Sequence, residues 1–232
     1  MPRNINTQGA ADAATTNEAL EALRRDIDGL DQSILALIEK RVAAARGIAE
    51  LKRSEGGDRL RLRPAREAVV VDRLLTQADE APQQLVKQVW REIMACCLNL
   101  QIHTELALFA GERAAALTDA MRRRFGCAGR MSVAPSPARA LQAAREREVV
   151  AVIELTPDSD WWLALQDETS LAMFECLRDD EGAVIGLAVG RIATEDLRSC
   201  PPIRIVEGIV PADAQLLAAA GSYKLVLLAE QP

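Results

Sequence analysis

The sequence predicts two differently built parts, an all-helical region over residues 17–104 and a smaller α/β domain over 105–232, behind a disordered tail at 1–16. Three observations predict this. The apolar series Leu20, Leu23, Ile27, Leu30, Ile34, Leu37 recurs at alternating spacings of three and four, the period of a helix with a heptad seam. Glycine and proline at Gly56, Gly57, Pro64 and Pro82 cut the region up to Gln101 into three helical stretches. After Glu105, short apolar runs alternate with helical ones, the pattern of an α/β domain.

The first helix opens where Thr15 and Glu18 stand at capping-box spacing around Asn17, itself a good N-cap. Its pattern continues through Ala44, Ile48 and Leu51 to the Gly56–Gly57 stop, roughly 57 Å at 1.5 Å per residue. A helix of that length needs apolar surface from elsewhere, and a second copy of the same helix is the simplest source, so an obligate dimer is expected. Pro64 suits the first turn of a second helix that carries Val69, Val70, Leu74 and Leu75 and fades near Ala78. Pro82 introduces the third, 83–103, with Leu85, Val86, Val89, Trp90, Ile93, Met94, Leu98 and Leu100. In the second part, strands are expected at 106–110, 131–134, 149–155, 184–189 and 225–229. Helices at 111–125 and 137–148 lie between strand candidates as in βαβ units.

Composition narrows the function. Hydrophobic residues make up 49% and charged residues 27% of the 232, enough apolar side chain for a core, which excludes disorder throughout. With 28 Lys and Arg against 34 Asp and Glu, the net charge of −6 offers no general attraction to nucleic acid or an anionic membrane, and neither is expected as a partner. No apolar run approaches the roughly 20 residues of a membrane helix, and the first 17 residues lack the order of a secretory signal, so a cytoplasmic location is expected. Five cysteines with no C-x-x-C spacing suggest packed, reduced thiols rather than a disulfide framework or a metal site. The lone histidine, His103, leaves little room for general-base chemistry, so an enzyme here works mainly with other groups.

Charges interrupt the apolar pattern at informative places. The seam position after Leu37 falls on Arg41, which either snorkels or pairs with a structural Glu, or else meets a ligand carboxylate. Lys52, eleven residues on, lies only about 20° round the helix and about 16 Å along it, so both long side chains can converge on one ligand. Arg24 points about 100° away from Arg41 and is suited to a partner's pocket in an antiparallel helix pair. Cys97 and Gln101 share a face at i, i+4, with Gln101 either solvated or a ligand group. Arg66 and Glu67 in the first turn of the second helix have the pattern of an ordinary exposed pair.

The run LEALRRDIDGLDQSILALIEKRVAAARGIAELKRSEG, followed by RPARE and IMACCLNLQ, resembles the all-helical (type II) chorismate mutase family over about residues 20–101. The resemblance implies a three-helix chorismate mutase fold in an intertwined homodimer with shared active sites, no cofactor, and rearrangement of chorismate to prephenate in aromatic amino acid biosynthesis. It implies that Arg24 reaches the partner's site, that Arg41 anchors substrate carboxylates, and that Lys52 and Gln101 flank the ether oxygen. It makes Glu67 the acceptor of the ring hydroxyl, places Arg66 beside the pocket, and puts Cys97 where relatives often carry a small residue. Arg63 stands where relatives commonly carry Asp, and its charge would favour capture of a dianion. Three other readings stay open: an isochorismate pyruvate lyase on the same fold, a bifunctional mutase and prephenate dehydratase, and a dimer that binds a metabolite without turnover.

Beyond Glu105, AVIEL followed by TPDSDWW faintly resembles a prephenate dehydratase lobe, a partner commonly fused to chorismate mutase. About 130 residues are too few for that family's two lobes. ETSLAMF lacks the arginine of its Thr-Arg-Phe string, so a degenerate domain with a structural, regulatory or partner-binding role is expected. Trp161 and Trp162 either pack on and beside the sheet or form a contact surface.

Overall fold

The structure, a computed structural model, describes residues 7–52, 62–101, 104–146, 148–198 and 200–229. Helix α1 (Thr7–Lys52) begins ten residues ahead of the expected start at Asn17, so the part of the expected tail from Thr7 onward is helical. The physical reason lies in Ala10, Ala11, Ala13 and Ala14: alanine is the strongest helix former, and no breaker separates this stretch from the heptad seam. The expected stop at Gly56–Gly57 lies outside the described residues, as does His103.

Helix α2 (Pro64–Gln77) carries Pro64 in its first turn, where the missing N–H is no loss, and ends at an extended Ala78. Helix α3 spans Gln83–Gln101. The α/β part follows in the order β1 (Glu105–Phe109), α4 (Ala114–Phe125), β2 (Arg130–Val133), α5 (Pro137–Ala144), β3 (Val149–Glu154), a 3-10 turn at Trp161–Leu165, β4 (Ala172–Arg178), β5 (Val184–Gly190), the short α6 (Thr194–Leu197), β6 (Ile203–Glu207), β7 (Ala214–Ala220) and β8 (Tyr223–Leu228). A five-stranded sheet has the order β2-β1-β3-β5-β4, and a three-stranded sheet the order β6-β8-β7. β1 pairs in parallel with both β2 and β3, as expected of two successive βαβ units, whereas β5 joins β3 and β4 antiparallel. Strands β4, β6 and β7 were not expected from the sequence; the first extends the sheet past β5, and the other two flank β8.

The chain divides into two compact units, 1–47 and 48–232. In the first, the seam of α1 is open: Leu20, Leu23, Ile27, Leu30, Ile34 and Leu37 are each 44–64% exposed. In the second, α4 and α5 cover opposite faces of the parallel strands. Val150 and Val152 of β3 pack with Leu117, Met121 and Phe125 on the α4 side, while Ala151 and Ile153 pack with Ala140 and Leu141 on the α5 side. A third cluster around Trp162, Leu187, Ile203 and Leu225 joins the two sheets. Trp162 is fully buried there, and half-buried Trp161 donates from its indole N–H to the Glu154 carbonyl at the end of β3.

Helices α2 and α3 belong to this second unit. α2 packs against α3 and α6, α3 packs against α4, and Leu62 and Leu98 extend the core on the α4 side. The joint between α3 and α4 turns on Gly126, whose φ of +73° suits glycine. A Cβ at Gly126 would stand 2.6 Å from the Ala95 Cβ, so the close approach also requires glycine. The next amide, Cys127 N–H, donates to the Glu92 carboxylate at 3.0 and 3.1 Å, tying the end of α4 to α3.

Candidate active site

The candidate residues fall on three helices. On α1, Arg24 is exposed and pairs with Glu21 one turn earlier at 2.5 Å, a solvent-facing contact that costs little to release. Arg41 is half-buried and engaged rather than free. Lys52 is the last residue of α1, and its side chain lies outside the described residues.

The first turn of α2 brings Arg63, Arg66 and Glu67 together, because Pro64 fixes where the helix starts and the next residues follow at helical spacing. Arg66 is exposed. Its two neighbours in the motif instead face the α/β part with opposite charge. Arg63 Nε lies 3.7 Å from the carboxylate of Asp196, a buried residue on α6. Glu67 Oε2 accepts from Arg124 Nη1 at 2.9 Å. Arg124, near the end of α4, also donates from Nε to Glu175 on β4 and lies over the Phe125 ring.

Only 13% of the Arg124 side chain is exposed. Burial alone pulls its guanidinium pKa down, but Glu67 and Glu175 outweigh that and hold it above the ordinary value. Arg91 on α3 stands beside this cluster, where burial and the Arg124 charge pull its pKa down while Glu175 and Glu67 oppose them. Glu67, Arg91 and Arg124 line a cavity of about 330 Å³ with Lys87, Glu175 and Cys200.

On α3, Cys97 is buried and Gln101, one turn on, is half-buried at the helix end. The structure thus places Arg66 and Glu67 in the first turn of α2 with Arg63 at its N-cap, and Cys97 and Gln101 one turn apart at the end of α3, the helix against which α2 packs. Two other thiols are chemically quiet, with burial pushing Cys176 up to about 12 and Cys200 up to about 11.

Sequence reasoning missed Asp196, Arg124 and Glu175, although a signal for Arg124 existed. The buried stripe Leu117, Ala120, Met121 on α4 continues at i+3 and i+4 onto Arg124, a cation on an apolar face of the same kind as Arg41. It was hidden within Arg122–Arg123–Arg124, which has the composition of an ordinary solvated helix end.

Residues 23–102 match the family model for chorismate mutase type II. The chain is also similar to proteins named bifunctional chorismate mutase/prephenate dehydratase. It is 31% identical over 114 residues to that of Aquifex aeolicus, covering 47% of this chain and 31% of the relative. It is 35% identical over 100 residues to that of Pseudomonas aeruginosa, covering 41% and 27%. The protein of Stutzerimonas stutzeri is 32% identical over 100 residues, with the same shares. The chain therefore spans less than a third of the length of these relatives. No solved structure matches it significantly. No described helix is long and apolar enough to cross a membrane.

Proposed function

We propose that the chain is a homodimeric chorismate mutase that converts chorismate to prephenate in aromatic amino acid biosynthesis, with active sites shared between two copies. The observation that carries this reading is the type II match over residues 23–102, within which the motif residues stand in order from Arg24 to Gln101. The open apolar seam of α1 supports the dimer, since six exposed large side chains on one helix call for a covering surface of the same period. A cytoplasmic location belongs to the same proposal.

The chemistry needs no histidine. The rearrangement is an intramolecular pericyclic shift with no proton to move and no covalent intermediate. Catalysis then consists of holding the dicarboxylate in its compact form and placing donors where negative charge grows on the breaking C–O bond. In this proposal Arg41 and the partner subunit's Arg24 clamp the carboxylates, a task that suits the fork of a guanidinium. Lys52 and Gln101 donate to the ether oxygen, and Glu67 accepts from the ring hydroxyl. Arg66 lies beside the pocket, Cys97 shapes its wall, and Arg63 serves to dock α2 on Asp196 more than to capture substrate. Prephenate dehydration, named for the relatives, is not part of the proposal because ETSLAMF lacks the arginine that such chemistry uses in the resembling family.

The test is turnover of the purified chain on chorismate and, separately, on isochorismate, with products identified. Prephenate from chorismate supports the reading. Pyruvate release from isochorismate in its place would make the chain a lyase on the same fold, and binding of chorismate without turnover would make it a sensor.

A further inference from the structure

The α/β part contacts the mutase domain at residues that the domain's own chemistry uses, and the contact is specific in charge. Two positions one turn apart on α2 pair outward with opposite sign, Arg63 with Asp196 and Glu67 with Arg124. Arg63 stands where the resembling family carries Asp, a carboxylate that would face Asp196 with like charge. The charge at this position matches the presence of the α/β part rather than the family pattern.

Arg124 is the more telling of the two. It is almost wholly buried, and its fork is divided between Glu175 of the sheet and Glu67 of the mutase domain. Glu67 uses only Oε2 in this contact; among the described residues its Oε1 accepts no hydrogen bond. A carboxylate fixed through one oxygen with the other left available is oriented for a further donor. Glu175 fixes the arginine in turn, through a hydrogen bond to its Nε.

We propose that Arg124 is a positioning residue for the mutase reaction, holding the Glu67 carboxylate so that Oε1 meets the substrate hydroxyl, and that the α/β part thereby completes the mutase site. The proposal rests on the mutase reading above and deepens it by assigning the C-terminal part a role. Arg124 acts through Glu67 and does not itself touch the reacting atoms. Losing the fork frees the Glu67 rotamer, and a displacement of about 1 Å in a positioned group costs up to roughly 10²-fold in rate.

The experiment is a double-mutant cycle in the full chain, with kcat and KM measured for wild type, R124M, E67A and R124M/E67A on chorismate, below the melting temperature of each. R124M is expected to lower kcat/KM by about 10- to 100-fold, and the double variant to fall no lower than E67A alone, because Arg124 has nothing left to position. E175Q removes the charge that helps fix Arg124 but keeps an amide oxygen able to accept from Nε, so it is expected to lower kcat/KM by less than R124M does. Should R124M fail to fold, R124K, which keeps the charge but loses the planar fork that spans two carboxylates, takes its place in the same cycle. Additive losses in R124M and E67A, a folded R124M with wild-type turnover, or an E175Q as inactive as R124M would each overturn the positioning role while leaving the mutase reading intact. A wild-type chain inert on chorismate would overturn the mutase reading and the positioning role with it.

Discussion

Replacing Arg63 by Asp, which restores the family pattern, should destabilise this chain. The carboxylate of Asp196 has 5% of its side chain exposed, and Arg63, 3.7 Å away, is its only ion-pair partner among the described residues. Two unit charges at about 4 Å attract by about 4 kcal/mol at an effective dielectric of about 20. Because 56% of the Arg63 side chain is in solvent, screening cuts that to about 1 to 2 kcal/mol. Reversing the sign replaces attraction by repulsion, so R63D should cost about 2 to 4 kcal/mol and R63A about half of that. At about 2 to 4 °C per kcal/mol for a chain of this size, R63D should lower Tm by roughly 5 to 15 °C. Adding D196N, which removes the facing charge, should recover about half the loss. The measurement is thermal unfolding of the four proteins at one concentration, repeated in high salt, where the R63D defect should shrink only partly because Asp196 is out of reach of mobile ions. An R63D chain as stable as wild type, or a D196N change that adds to its defect, would refute the docking role. A loss of kcat/KM at unchanged Tm that vanishes in salt would return Arg63 to substrate capture.

Three further outcomes follow from the same structure. Burying the six open seam residues of α1, each about half exposed and worth about 1.5 to 3 kcal/mol when fully buried, gives a gross gain of several kcal/mol per copy. Sedimentation should therefore show a dimer at micromolar concentration, and I34D, at a residue 53% exposed in the single chain, should shift it to monomer and abolish turnover; a folded wild-type monomer would contradict the shared site. If Arg24 serves the partner's site, mixing inactive R24A and R41A chains should restore activity in mixed dimers, which hold one site with both arginines intact. No recovery after demonstrated subunit exchange would argue against it. Finally, burial raises Cys176 and Cys200 from 9.0 to about 12 and about 11, so the folded state keeps protons that the unfolded state releases. Their contribution to stability is complete below pH 9 and is lost as pH rises towards 11 and 12. The C176A/C200A variant should lose less stability between pH 9 and 11 than wild type, and an identical slope would refute the assignment.

What was legible in the sequence were the features whose signal is local. The helical period of α1, the Pro64 start of α2 and the βαβ alternation are each read from residues close together in the chain, and the structure has all three, although α1 begins ten residues ahead of its expected start. The missed strands fail for a tertiary reason. β7 reads Ala-Gln-Leu-Leu-Ala-Ala-Ala, a helix-forming composition, and is extended because it pairs along β8 and places Ala218 in the core between the sheets. β4 carries Glu175 and Arg178 within its run, so its apolar pattern is broken at the positions where the sheet meets α4 and its own turn.

The same distinction explains the candidate site. Arg24, Arg41, Lys52, Glu67 and Gln101 follow from a family motif, and a motif states what a domain brings to its substrate. It says nothing of what a neighbouring domain brings to the motif. Arg124 lies 57 residues from Glu67 along the chain, in a part the motif does not reach, and only the packing of α3 on α4 through Gly126 brings the two together. Within the motif itself, Arg63 pairs with a residue that the motif does not contain. A residue of the wrong sign for the family is the right sign for Asp196, so a departure that resembles decay in the isolated helical domain is a match once the α/β part is in place.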